Sequence, residues 1–210
     1  LAHPSTQWLC WELFHPDCMP ILPMLFAYYF AVTKRWRWFA AMIVIAMLWR
    51  EDVAMTVFML GILIAIRGDR RVGIRTMVGA TVWFLLATQV ILPLGLGGRQ
   101  PFYADGFYGS LGKSSTEIAK NSIVHPTRVY DHLDNANAIK YATDIGTPYG
   151  LLSYASPVFL IGVPHAITNL LAVHSFVWDD HFHYVAMPLF AVTVSMVEAV
   201  AMIHRRRREA

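Results

Sequence analysis

Three charged residues interrupt the most apolar part of this 210-residue chain. The block Arg50-Glu51-Asp52 separates an apolar run at 36–49 from a second one at 53–66. A helix made from either run rises only about 21 Å, less than the ~30 Å hydrocarbon layer of a bilayer. If both runs are anchored at one membrane face, the acidic pair lies below the opposite surface. Ionisable groups at that depth are costly and usually mark a site, so we expect function here.

Composition indicates a polytopic membrane protein. Hydrophobic residues make up 56% of the chain and charged residues 15%, with a mean hydropathy of +0.44. Soluble domains contain about 45–50% apolar residues. We predict an all-α fold, a transmembrane helix bundle that forms a single membrane domain over residues 1–210. Because no signal-peptide pattern opens the sequence, we expect it to be a fragment of a longer chain.

Apolar segments bounded by charges or prolines define about five predicted spans. They are 18–33, 36–49, 53–66, 76–96 and 184–203, with a polar outer loop at 97–150. Residues 151–172 are also apolar, but Pro157, Gly162 and Pro164 interrupt them. We therefore predict a re-entrant or interfacial segment there, which is tolerated at membrane depth only where protein or a wet cavity covers the backbone.

Three basic clusters predict the orientation. They lie at 34–37, 67–75 and 205–208, and the positive-inside rule places all three in the cytoplasm. The chain must then cross an even number of times between Arg75 and Arg205, which agrees with a re-entrant 151–172. Four arginines directly after an apolar span favour a membrane anchor over nucleic-acid binding, so we expect membrane lipids and no nucleic acid as partners. Chemistry is expected at the extracytoplasmic face of the plasma membrane.

Two acidic clusters flank the outer ends of the first three spans. Glu51 and Asp52 could act as a general base, bind a cation or orient a polyhydroxyl substrate. Alternatively, Asp52 caps the following helix and Glu51 pairs with Arg50. His15 and Asp17, on either side of a proline, could present an acid/base pair to the same cavity, or Asp17 could simply begin a helix.

A third cluster, 179–184, precedes the last span. Its aspartates and histidines could ligate a divalent metal, although the spacing matches no zinc signature and a solvated loop is the alternative. His183 and Tyr184 lie closest to the membrane and are predicted to contact substrate. Aromatic residues of the 97–150 loop could stack on sugars or only pack the loop. No phosphate-binding or dinucleotide motif is present in the sequence, which disfavours soluble-cofactor chemistry.

Several stretches together resemble the bacterial polytopic membrane family catalogued as domain of unknown function 2079. They are Glu12-Leu13-Phe14-His15-Pro16, Leu48-Trp49-Arg50-Glu51-Asp52 with Leu60-Gly61, Ser156-Pro157 to Pro164 with Asn169-Leu170-Leu171, and His183-Tyr184. That family is distantly similar to the C-type glycosyltransferases. These enzymes take sugars from polyprenyl-phosphate donors at the outer membrane face, using an acidic residue of an early outer loop. We expect the segment carrying that acid to lie outside this sequence.

The resemblance implies a glycosyltransferase-like membrane protein with a polyprenyl-phosphate-linked sugar as donor. The predicted catalytic residues are Glu51, Asp52, Asp17 and His15, and the predicted substrate-binding residues are Arg50, His183 and Tyr184. A divalent cation is the one cofactor that these groups could hold. Two alternatives stay open: a transporter or permease component that binds an ion or solute through the same charges, and a non-catalytic assembly subunit. The sequence assigns no sugar, acceptor, metal or oligomeric state.

Overall fold

The computed structural model describes residues 3–11, 15–99, 106–108, 111–112, 115–133 and 135–209. Over these residues it is helical, with no β-strand. The predicted all-α class is confirmed. The helices are α1 Pro4–Trp11, α2 Ile21–Val32, α3 Trp36–Met47, α4 Val53–Ile66, α5 Arg70–Gly95, α6 Ser115–Val124, α7 Pro126–His132, α8 Asn135–Gly146, α9 Val163–Leu170 and α10 Ala186–Glu209.

Tight turns join α2 to α3 and α4 to α5 as antiparallel hairpins. The first turn contains Lys34 at φ 57° and the second contains Gly68 at φ 108°. Such angles are reached most readily by glycine. Between α4 and α5, Gly61 faces Gly73, and a Cβ on Gly73 would lie 2.5 Å from the Gly61 carbonyl oxygen. The two glycines therefore let the helix backbones approach each other closely.

Helix α5 is much longer than the hairpin against which it packs. It spans 26 residues, or about 39 Å, whereas α4 is about 21 Å long. One π-helical turn at Ala87–Ile91 precedes Pro93. Proline has no backbone N–H and its ring crowds the preceding turn. The backbone hydrogen bonds of that turn therefore shift from the α-helical to the π-helical spacing. From their shared turn at 67–69, α5 reaches about 18 Å beyond the far end of α4.

A helical hairpin at 135–170 packs against the first half of α10. Its first limb, α8, buries Tyr141 and Ile145 beside Leu189. Farther along, the Tyr149 hydroxyl lies 2.8 Å from Thr193 Oγ1. This limb therefore runs along α10 away from the start of that helix.

The deepest part of the hairpin contacts Ser195, whose hydroxyl donates to the carbonyls of Ser153 at 2.6 Å and Ser156 at 3.0 Å. The chain then returns through a 3₁₀ segment, Pro157–Gly162, and α9. At the end of α9, the Asn169 amide donates to the Tyr184 carbonyl at 2.9 Å. Both ends of the hairpin thus lie at the same end of α10. Placing the turn between them inside a membrane remains a prediction.

Length and apolar composition are sufficient for membrane crossing in two of the described helices, Arg70–Gly95 and His183–Glu209. The apolar segments Pro16–Val32, Trp36–Met47, Val53–Ile66 and Pro157–Leu170 are shorter. Large apolar side chains cover the outside of the bundle, and several are more than half exposed: Leu22, Trp38, Val44, Val78, Val82 and Leu85. Soluble monomers seldom show apolar surface on this scale. The predicted number of five spans stays a prediction.

Ion pairs hold the predicted basic clusters at one end of the bundle, here called the basic end. Lys34 Nζ lies 3.2 Å from Asp69 Oδ2, and Arg67 Nη1 lies 3.2 Å from Glu198 Oε1. The Tyr28 hydroxyl also donates to Glu198, at 2.6 Å. These contacts join α2, α4 and α10, so the turn at 48–52 between α3 and α4, here called the tip, lies at the opposite end.

Candidate functional site

The carboxylate of Asp52 turns away from the helix that follows it. Asp52 occupies the position before α4, but its side chain makes no capping hydrogen bond. Instead, Arg50 Nη2 donates to Asp52 Oδ2 at 2.6 Å. The alternative in which Asp52 caps α4 is therefore wrong, and the Asp52 carboxylate forms a direct ion pair with Arg50 instead. Glu51 is half-buried on the same turn.

Arg50 also binds a carboxylate from another segment. Its Nη1 forms an ion pair with Asp17 Oδ1. Asp17 lies on the 3₁₀ turn Pro16–Cys18, just before α2, and is only 9% exposed. One guanidinium thus bridges two acidic residues that precede different helices. This planar cation, with five N–H donors, suits such a bridge.

His165 joins the cluster from the returning limb of the helical hairpin. Its Nε2 lies 3.3 Å from Asp52 Oδ2, and its Nδ1 lies 3.2 Å from Thr56 Oγ1. The imidazole is 5% exposed. A proton on Nε2 satisfies both contacts, since the ring then donates to the carboxylate and accepts from the hydroxyl. The result is a chain of polar contacts, Asp17–Arg50–Asp52–His165–Thr56, in which Asp17, His165 and Thr56 are buried and Arg50 and Asp52 are half-buried.

Charge pairing decides the ionisation of Asp52. Burial acts to raise the pKa of this carboxyl, but Arg50 and then His165 outweigh it and hold the pKa well below its usual range. Asp52 is therefore a carboxylate at neutral pH. A carboxylate of such low pKa is a poor general base, because proton affinity and base strength fall together. Asp52 Oδ1 is buried and accepts no hydrogen bond from the described residues.

His15 and His183 stack beside this chain of contacts. Their ring centroids are 3.7 Å apart and their planes differ by 12°. His183 is 9% exposed, whereas His15 is half-buried. Ligand atoms of His15, Asp17 and His183 all lie within 4.8 Å of one another. Two imidazoles and a carboxylate are therefore gathered at one place.

Aromatic residues of the outer segments cover this region. The Tyr184 ring lies 4.1 Å from that of His183 and 5.9 Å from that of Phe107. The backbone N–H of Val173 donates to the Phe107 carbonyl at 3.0 Å, which fixes the 106–108 segment in place. Burial, reinforced by the nearby Asp52 carboxylate, raises the pKa of Tyr108 to about 12. Tyr108 therefore stays a neutral phenol and a hydrogen-bond donor.

A second His/Asp cluster lies farther out. His181 Nδ1 donates to Asp179 Oδ1 at 2.6 Å, and Asp180 Oδ2 accepts from the Ser5 hydroxyl at 3.2 Å. The hydrogen bond with Asp179 raises the pKa of His181 above its usual range. The side chains of His181 and Asp179 are about half exposed, 51% and 44%. Solvent screening makes such an exposed pair a weak contributor to stability.

A family model described as a predicted membrane protein (DUF2079) matches residues 2–210. The chain belongs to this family. No curated protein and no solved structure gave a significant match. Membership of DUF2079 agrees with the apolar outer surface of the bundle, and it assigns a membrane protein of unknown function. The resemblance motif at 12–16 falls partly on residues outside the described part of the chain.

In this DUF2079 chain the fold brings the predicted site residues to one end of the bundle. They form the polar cluster, which we define as His15, Asp17, Arg50, Glu51, Asp52, His165 and His183, with Tyr184 beside it. Their catalytic and substrate-binding roles stay predictions. The polar cluster also contains His165, which the sequence did not single out, and Tyr108 lies close to it. The sequence feature that could have identified His165 is its position as a histidine in an apolar, proline-interrupted segment.

Proposed function

We propose that this DUF2079 chain carries part of the active site of a glycosyltransferase-like membrane enzyme that acts on polyprenyl-phosphate-linked sugars. The observation that supports it is the largely enclosed chain of contacts Asp17–Arg50–Asp52–His165. Three separate segments supply these groups inside an otherwise apolar bundle. Charged residues so enclosed are expensive and are retained mainly where they serve function. The resemblance to C-type glycosyltransferases supplies the substrate class.

Helix lengths support a site below the outer membrane surface. The polar cluster and the Arg67–Glu198 pair lie at opposite ends of α4, about 21 Å apart. If the basic end is at the cytoplasmic boundary of a ~30 Å layer, the cluster lies roughly 9 Å short of the outer boundary. The phosphate of a lipid-linked donor in the outer leaflet could reach this level, with its isoprenoid chain remaining in the lipid.

The groups of the polar cluster suit an inverting transfer. The acceptor hydroxyl oxygen would bond to the anomeric carbon while the bond from that carbon to the lipid phosphate breaks. Glu51 is the better base for the hydroxyl proton, because Arg50 and His165 lower the proton affinity of Asp52. Arg50 Nη1 contacts Asp17 and Arg50 Nη2 contacts Asp52. The other N–H groups of the guanidinium can donate to the departing phosphate. His15, His183 and Tyr184 would position donor and acceptor.

The proposal requires the tip to face outward and the basic end to face the cytoplasm. Single cysteines at Glu51 and at Arg71, placed in a chain with Cys10 and Cys18 changed to serine, test this. In intact cells, a membrane-impermeant thiol reagent is expected to label position 51 and to leave position 71 unlabelled. Labelling of position 71 should require cell disruption. The reverse pattern would overturn the orientation.

Activity is tested by Glu51→Gln and Asp52→Asn in the full-length protein. A general base contributes about 10²–10⁴-fold in rate, so Glu51→Gln is expected to lower sugar transfer at least about 100-fold. Consumption of a polyprenyl-phosphate-linked sugar by membranes, together with cell-envelope glycan profiles, measures it. The matched control is Asp144→Asn, whose carboxylate pairs with Lys140 on the exposed face of α8 and should leave transfer unchanged.

The same variants separate the alternatives. Unchanged transfer in both Glu51→Gln and Asp52→Asn would remove the enzymatic assignment. Loss of ion or solute flux with intact glycans would instead favour a transporter. If the joint replacement of Asp17, Arg50 and Asp52 by leucine preserves cell-envelope function, the charges only pair with each other, as in a non-catalytic assembly subunit.

A further inference from the structure

We propose that His15, Asp17 and His183 form a binding site for a divalent first-row metal ion of the Mn²⁺ to Zn²⁺ series. Ions of this series bind imidazole nitrogens readily, whereas Mg²⁺ and Ca²⁺ take oxygen ligands. A site of two imidazoles and one carboxylate therefore suits the transition metals better. Three protein ligands of this kind leave positions open for water or substrate, the pattern of catalytic rather than structural sites.

The placement of the three side chains depends on the fold and not on sequence proximity. His15 and Asp17 flank the start of the turn Pro16–Cys18, and His183 begins the turn His183–Val185. These two turns pack against each other. The ligand atoms lie within 4.8 Å of one another, so they need to close by at most about 1.4 Å to reach the ~3.4 Å separation of ligands around a tetrahedral ion.

A soft torsion supplies that closure. The two imidazoles now lie face to face, 3.7 Å apart, so their nitrogens lie in adjacent parallel planes. Rotation of one ring about its Cβ–Cγ bond turns a nitrogen toward the other ligands, and such sp³–sp² torsions have broad energy wells. Metal binding should therefore replace the ring stack without moving the backbone.

Charge is the second observation that points to a cation. Arg50 faces three carboxylates, those of Asp17, Asp52 and Glu51, and Asp52 Oδ1 is buried with no hydrogen-bond donor among the described residues. An unsatisfied buried acceptor is costly, more so when charged. Asp17 and Asp52 share the guanidinium of Arg50, so a divalent ion beside Asp17 would add positive charge next to these carboxylates.

Arg50 prepares Asp17 for this role. Its Nη1 binds Asp17 Oδ1 and leaves the other carboxylate oxygen as the metal ligand. Outer hydrogen bonds of this kind hold ligating carboxylates in orientation and are worth about 10–100-fold in metal affinity. Arg50 is thus a positioning residue for the metal site.

The outer cluster of Asp179, Asp180 and His181 is the weaker candidate, since solvent screens it and His181 Nδ1 already lies within 3.2 Å of carboxylate oxygens of both aspartates. Only the role of the metal rests on the proposed function. In the proposed transfer reaction, the ion would bind the lipid phosphate and offset its negative charge as the sugar leaves. Metal binding itself is measured without any turnover.

The test is a titration of the purified, chelator-treated protein with Co²⁺, followed by absorption at visible wavelengths and by competition with Zn²⁺ and Mn²⁺. We expect one equivalent of tightly bound ion. Asp17→Asn and His183→Gln should each weaken binding at least about 100-fold, because removing a ligand costs no less than removing its outer support. Arg50→Lys should weaken it by about tenfold. The matched controls Asp179→Asn and His181→Gln should bind as the parent chain does.

Each outcome decides one claim. Binding that survives Asp17→Asn and His183→Gln but is lost in the 179 and 181 variants would overturn the site. Failure to bind any of the three ions would overturn it as well. Tight binding with sugar transfer unchanged in both Glu51→Gln and Asp52→Asn would leave the metal site standing and remove the proposed transferase.

Discussion

Arg50→Gln is expected to cause the largest loss of stability of any single change in the polar cluster. The substitution removes the shared cation from Asp17, which is buried, and from Asp52, which is half-buried with a buried Oδ1. Removing one partner of a buried ion pair costs about 3–5 kcal/mol, since the remaining charge loses its compensation. Thermal unfolding of the purified protein in lipid nanodiscs measures this cost. Lys34→Gln, which removes the exposed pair with Asp69, is the control and should cost less than about 1 kcal/mol.

The pH dependence of the Arg50→Gln variant provides a second readout. In the parent chain the pKa of Asp52 is lowered, so its contribution to stability is present at neutral pH and is lost as the pH falls through the folded-state pKa. Without Arg50, burial dominates and the aspartates protonate at higher pH, which relieves the penalty. The difference in stability between the two proteins should therefore shrink from pH 7 to pH 4. An equal difference at both values would show that the loss does not arise from unpaired carboxylates.

The sequence indicated which residues the fold brings together at the tip better than it indicated how they pair. An acidic pair between two short apolar runs is visible in the sequence, because ionisable residues stand out against apolar neighbours. Whether Asp52 turns toward α4 or inward depends on Arg50, Asp17 and His165 together. The last two come from segments 35 and 113 residues away in the chain, and no local pattern records such contacts.

The helical hairpin at 135–170 shows the same limit for the fold. Proline and glycine within 151–172 correctly predicted an interrupted segment there. The sequence places the first limb, Asn135–Gly146, in the polar outer loop and predicts only a short helix over 131–143 there. Its buried face consists of Tyr141 and Ile145, which are four residues apart and therefore on one side of a helix. Two apolar residues are too weak a pattern to show, without the partner surface of α10, that this helix packs into the bundle.

Gly73→Ala is expected to separate α5 from α4. The added Cβ would lie 2.5 Å from the Gly61 carbonyl oxygen and 2.6 Å from the Ala65 backbone nitrogen. Backbone atoms on a packed helix do not yield as a flexible side chain does, so the helices must move apart. Overpacking of this kind costs about 1–3 kcal/mol and occasionally more, and here it acts at the main contact of α5 with the bundle.

Gly79→Ala is the matched control, because it makes the same change on the same helix. A Cβ at Gly79 has no neighbour within 4 Å, and alanine is favoured over glycine in a helix by about 0.5–1 kcal/mol. In thermal unfolding in nanodiscs, the unfolding temperature of Gly79→Ala should therefore match or exceed that of the parent chain, while Gly73→Ala unfolds at a lower temperature.

Because Trp83 Nε1 on α5 donates to the Met47 carbonyl beside the tip at 3.1 Å, displacement of α5 should also disturb the polar cluster. Gly73→Ala should then weaken Co²⁺ binding in parallel with its loss of stability, and equal melting temperatures for the two variants would contradict the close glycine contact.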